Sequence, residues 1–90
     1  KLILWGAGRK GKKVAQLLIE KNISFEWVCD NPKKIGKDIY GQILKPFDFL
    51  SGMSNYQSII TVANTEAQME ITQHFKTRKM TAMNDYFFFC

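Results

Sequence analysis

Cysteine, histidine and proline are scarce in this 90-residue chain: it has two Cys (Cys29 and Cys90), one His (His74) and two Pro (Pro32 and Pro46). Two distant cysteines do not make a disulfide framework, and with one histidine they fit no familiar four-ligand zinc spacing. A reduced, cytoplasmic setting without a metal is the expectation. No apolar run approaches the roughly 18–20 residues of a membrane helix, and the basic stretch Arg9 to Lys13 precedes no signal-like segment. Direct membrane insertion is not expected. Acidic residues are also few, 8 against 13 Lys and Arg, which leaves a net charge of +5. That excess favours anionic partners, among them nucleotides, nucleic acids and acidic surfaces, without choosing between them. No internal repeat or low-complexity linker is visible.

The composition that remains, 46% hydrophobic and 23% charged, is that of a globular domain and excludes disorder. Ninety residues make one small domain, 1–90, with no second lobe to carry a substrate or a catalytic set. The chain opens on Lys1 directly before a strand-like run, so an accessory module of a longer protein is expected.

Strand and helix signals alternate. Leu2 to Trp5 is a short apolar run closed by Gly6, as in a strand buried on both faces. From Gly11 the period turns helical, with Val14, Leu17 and Leu18 apolar and Asn22 placed to cap the C-terminus. Phe25 to Cys29 predicts a second strand, stopped by Asp30-Asn31-Pro32. Ile43-Leu44 reads as a weak edge strand, Pro46 to Leu50 as a short helix ended by Ser51-Gly52, and Ser58 to Val62 as a buried strand. Thr65 and Gln68 have capping-box spacing before a helix that puts Ala67, Ile71 and Phe75 on one face and ends in Lys76, Arg78 and Lys79. A last strand is expected at Met80 to Met83, before an aromatic tail. The pattern predicts a Rossmann-like three-layer α/β/α fold, with a parallel sheet of four or five strands in the order 3-2-1-4-5 and an irregular third strand.

Gly6-Ala7-Gly8-Arg9-Lys10-Gly11 is a Gly-x-Gly-x-x-Gly. It has the context that gives it meaning: a strand before it, a helix after it, and Asp30 about 20 residues beyond, at the end of the next strand. In such a turn Gly6 allows the bend, Gly8 lets a phosphate approach the backbone and Gly11 lets helix and strand pack closely. The same glycines also serve plain packing. Arg9, Lys10, Lys12 and Lys13 crowd a helix start that is already electropositive, a conflict that an anion would relieve. Arg9 and Lys10 are candidate phosphate contacts; Lys12 and Lys13 suit a solvated face. Asp30 could accept hydrogen bonds from a ribose diol, or merely organise the turn before Pro32. Asn64 and Thr65 follow the strand across the crevice and are further candidates, although capping their own helix accounts for either.

Groups for catalysis are few. His74 lies inside a helix, no Tyr precedes a Lys by four residues, and Cys29 suits buried packing. Binding outranks catalysis. Trp5 and Trp27 fall in strands expected to be buried, which leaves no platform for stacking nucleic-acid bases. The consecutive aromatics Tyr86, Phe87, Phe88 and Phe89 cannot all face one side of a strand, so they either fill core on both faces or meet another chain.

The glycine turn, followed by Asp30-Asn31-Pro32-Lys33-Lys34-Ile35-Gly36 and then Gly41, resembles the small Rossmann-like modules of bacterial sugar-modifying proteins. Similar modules begin sialic-acid-type sugar O-acyltransferases, end sugar C-methyltransferases and are appended to family 2 glycosyltransferases of surface-polysaccharide synthesis. The resemblance implies binding or docking of a nucleotide or UDP-type nucleotide-sugar beside a catalytic domain of the same parent chain. Gly6, Gly8, Gly11 and Asp30 stand on the matching positions. Arg9-Lys10 stands where the acyltransferases carry a His, so their catalytic assignment does not transfer. The alternatives are a degenerate module that self-associates, and an NAD-binding fragment of a sugar-nucleotide oxidoreductase.

Overall fold

A four-stranded parallel sheet, ordered β2-β1-β5-β6, carries the domain. Its strands are β1 (Leu2–Trp5), β2 (Glu26–Val28), β5 (Gln57–Ile60) and β6 (Tyr86–Phe88). Two helices, α1 (Arg9–Glu20) and α2 (Thr65–Thr77), join them, and a two-residue-per-strand hairpin, β3 (Asp38–Ile39) with β4 (Gln42–Ile43), lies between β2 and β5 in sequence. This computed structural model describes residues 2–29, 31–50, 56–62, 65–77 and 86–88. The sequence-predicted order is present, with the irregular third strand reduced to one parallel bridge between Lys45 and Val28.

Alternation along the strands sorts the core into two clusters. Ile3, Trp5, Val28 and Ile60 point to the face covered by Ile71 and Phe75 of α2. Leu4, Trp27 and Cys29 point to the other face, against Val14, Ala15 and Leu18 of α1. The one-residue phase of each strand therefore builds a three-layer domain. His74 belongs to the packing of the α2 face: its Nε2 lies 2.5 Å from the Tyr56 hydroxyl and its ring sits edge-on to Trp5.

Helix α1 opens at Arg9, two residues before Gly11, directly after Gly8, which is extended (φ −80°, ψ −162°) at the N-cap. It ends as Asn22 predicts. Asn22 adopts a left-handed φ of 57°, its N–H donates to Ile19 O and that of Ile23 donates to Leu18 O, which closes the last turn in a Schellman pattern. In α2, Thr65 is already helical, and Gln68 donates to Val62 O at 2.7 Å, tying the helix to the strand before it.

Two segments differ from the strand pattern expected. Ile43 pairs backwards with Asp38 instead of forming an edge strand with Leu44. The cause is a tight turn in which Tyr40 (φ 55°) and Gly41 (φ 80°) are both left-handed, and Asp38 Oδ1 accepts the Gly41 N–H. The final strand described is the aromatic segment itself, with Tyr86 opposite Ser58 and Phe88 opposite Ile60. Tyr86 is buried and stacks on Phe75 with centroids 4.0 Å apart. Residues 80–83, Ser51-Gly52 and Phe89 lie outside the described residues.

Candidate functional site

The turn between β1 and α1 is held from four directions. Gly6 N donates to Val28 O at 2.8 Å, and Gly6 O accepts the buried Trp27 indole N–H at 2.6 Å. On the other side, Thr61 sends both its N–H and its hydroxyl to Trp5 O. Gly6 has a φ of +103°, and a Cβ there would stand 2.6 Å from Thr61 Oγ1. A Cβ on Gly11 would stand 2.2 Å from Gly6 O, far inside van der Waals contact. Two of the motif's glycines are thus demanded by the protein's own packing.

Gly8 is different. Among the described residues nothing lies within 4 Å of the position of its absent Cβ, and its φ of −80° is open to any residue. It caps α1 without a side-chain hydrogen bond, and the first helical turn contains no acidic residue. The N–H groups of Arg9, Lys10 and Gly11 have no partner inside the helix. Arg9 and Lys10 bring the positive end of the helix dipole to an open cleft of about 580 Å³. Arg9 and Lys10 line it from α1, Thr61 and Val62 from just after β5, and Asn31 and Lys34 from the loop after β2. The ammonium of Lys34 donates to Ala7 O at 2.9 Å. Among the described residues that line the cleft there is no carboxylate.

Gly6, Gly8, Arg9 and Lys10 therefore line one cleft at the carboxyl ends of β1 and β5, where open α/β sheets bind ligands, whereas Gly11 is buried against Gly6 O. Asp30 and Asn64 lie outside the described residues. Thr65 lines a separate groove along α2. Cys29 is buried on the α1 face, at the base of the cleft. Sequence reasoning missed Trp27, Thr61 and Lys34. A signal for Trp27 existed: it shares strand phase with Leu4's face, which brings its indole under the turn. Among the described residues no three His, Cys, Asp or Glu side chains gather as a metal site requires, and no helix is long and apolar enough to cross a membrane.

No family model matches the chain, and neither does any curated protein. Among solved structures it is similar to RSP, described as a Rex-family repressor, with a TM-score of 0.76 at 18% sequence identity. The fold is Rossmann-like. The match covers 99% of this chain and 44% of the repressor chain, so the Rossmann-like domain corresponds to less than half of that protein.

Proposed function

We propose that this Rossmann-like domain binds a nucleotide-type ligand through its phosphates at the glycine turn, as a binding module and not as a catalyst on its own. The observation that carries this is the open space at Gly8, set over an uncapped helix start in a cleft walled by Arg9, Lys10 and Lys34. Packing accounts for Gly6 and Gly11 but places nothing against Gly8. An anion there would accept the free N–H groups and relieve the crowding of like charge. The likeness to a repressor of the same fold supports the architecture and leaves the ligand to the site's chemistry.

A UDP-type nucleotide or nucleotide-sugar is the ligand supported by the resemblance of the turn and the Asp30–Gly36 segment to modules of bacterial sugar-modifying proteins. The parent would then be a glycosyltransferase of surface-polysaccharide synthesis. NAD is the second candidate, favoured by the complete Gly-x-Gly-x-x-Gly with its strand and helix in place. Nucleic acid is no part of this proposal, since both indoles that could stack on bases are buried. Self-association through the aromatic strand loses one of its four rings, because Tyr86 is packed on Phe75.

Amide chemical-shift titration with UDP, a UDP-sugar, NAD and S-adenosylmethionine tests the proposal. Perturbation centred on residues 6–11 and Lys34 is the expected result. Silence of the glycine turn toward all four at millimolar concentration overturns it.

A further inference from the structure

We propose that Lys34 makes the cleft select ligands with two linked phosphates over ligands with one. The inference rests on the glycine turn being a nucleotide site. Lys34 lies outside the Gly-x-Gly-x-x-Gly, in the loop after β2, and lines the same cleft as Arg9 and Lys10. Its backbone is firmly placed. The N–H groups of Lys34 and Ile35 both donate to Asn31 O, at 2.9 and 3.1 Å, and the Lys37 N–H donates to Lys34 O at 3.0 Å. Gly36 N donates to Leu44 O at 2.7 Å, and Asn31 Oδ1 accepts the Lys33 N–H. A long side chain that starts from a fixed point loses less freedom when it engages a ligand.

From that point the ammonium reaches across to Ala7 O at 2.9 Å, using one of its three donors. The contact does two things. Because a trans peptide sets its C=O and N–H in opposite directions, fixing the Ala7 carbonyl also fixes the direction of the Gly8 N–H. Trp27 does the same for the preceding peptide through Gly6 O. The ammonium also keeps two further donors and its charge at the turn, in the cleft that Arg9 and Lys10 line as well. A single phosphate at the helix start is met by the α1 wall. A second phosphate extends the charge toward Lys34, where a charge-assisted hydrogen bond in a partly buried cleft outweighs its exposed equivalent.

The test compares UDP with UMP and ADP with AMP on the wild type, Lys34→Met, Lys34→Gln and Lys34→Arg, by amide titration. The wild type is expected to prefer each diphosphate by roughly tenfold or more, the scale of one charged hydrogen bond. Lys34→Met should weaken diphosphates about tenfold more than monophosphates. Lys34→Gln, which keeps a donor for Ala7 O without the charge, should show the same collapse of preference should the Met variant fail to fold. Lys34→Arg should retain the preference. Equal wild-type affinity for mono- and diphosphate overturns the inference, as does a Met or Gln variant that weakens both ligands equally, which is the mark of a merely structural lysine. A wild type that responds to none of the four overturns the nucleotide site itself, and this inference with it.

Discussion

On the face covered by α1, the first turn of the helix meets the strand through small groups, Gly11 against Gly6 O with Ala7, Val14 and Ala15 in the same cluster, which among the described residues holds only one ring pair, Phe25 and Trp27. On the face covered by α2, rings fill the gap, with Phe75 stacked on Tyr86 and set edge-on to Trp5, whose other ring neighbours are Phe47 and His74. Removing side chains lets backbone groups crowd together at the first face and leaves N–H donors exposed at the turn. Filling space with aromatics at the second face buries about 150–250 Å² per ring, the larger source of hydrophobic stabilisation. Ligand chemistry and fold stability are thus concentrated on opposite sides of one sheet, and mutations should separate them.

The largest effect is expected from Phe75→Ala, which empties the centre of the ring cluster. A loss of about 3–5 kcal/mol is expected, read from the denaturant midpoint. A loss comparable to an ordinary surface substitution would show that the ring-filled face is not the main store of stability. Next comes a matched pair on the other face. Gly11→Ala drives a methyl into Gly6 O and should cost about 1–3 kcal/mol. Gly8→Ala meets open space and should cost less than about 1 kcal/mol, the scale of a lost helix cap, while it weakens the response to nucleotides. Equal destabilisation by the two, or undiminished binding by Gly8→Ala, would break the distinction between packing glycine and ligand glycine. The smallest effect has the opposite sign. Ser58 lies on the ring-filled face with its hydroxyl buried and without a partner among the described residues, so Ser58→Ala should stabilise the domain by about 1 kcal/mol. A loss of stability there would mean that the hydroxyl is satisfied in solution.

Local signals made the β1-turn-α1 unit legible. The apolar run Leu2 to Trp5, the spaced glycines and the 3.6-residue period of Val14 and Leu18 all lie within one short stretch, and each constrains the next. Helix α2 was legible for the same reason, through Ala67, Ile71 and Phe75. The Asp38–Ile43 hairpin was not. Its turn needs a left-handed Tyr40, a residue with no strong preference for that conformation, so only Gly41 marked it. The pairing of Tyr86 to Phe88 with β5 was not legible, because it is a non-local choice; the strand expected at Met80 to Met83 lies outside the described residues. Within the site, the glycines and Arg9-Lys10 could be read from the motif. Lys34 could not, because its contact with Ala7 spans 27 residues and depends on how the loop after β2 is folded back by Leu44.

The two tryptophans differ in a way that makes the protein its own spectroscopic instrument. Trp27 donates its indole N–H to the glycine turn, whereas the equally buried Trp5 indole has no acceptor among the described residues. Their indole resonances should therefore be well separated, the bonded one downfield. Movement of the turn would alter the Trp27 signal, while Trp5, on the far side of the sheet, stays as an internal reference. Occupancy of the cleft can then be followed in unlabelled side-chain emission and in two proton lines, without attaching any probe to the domain.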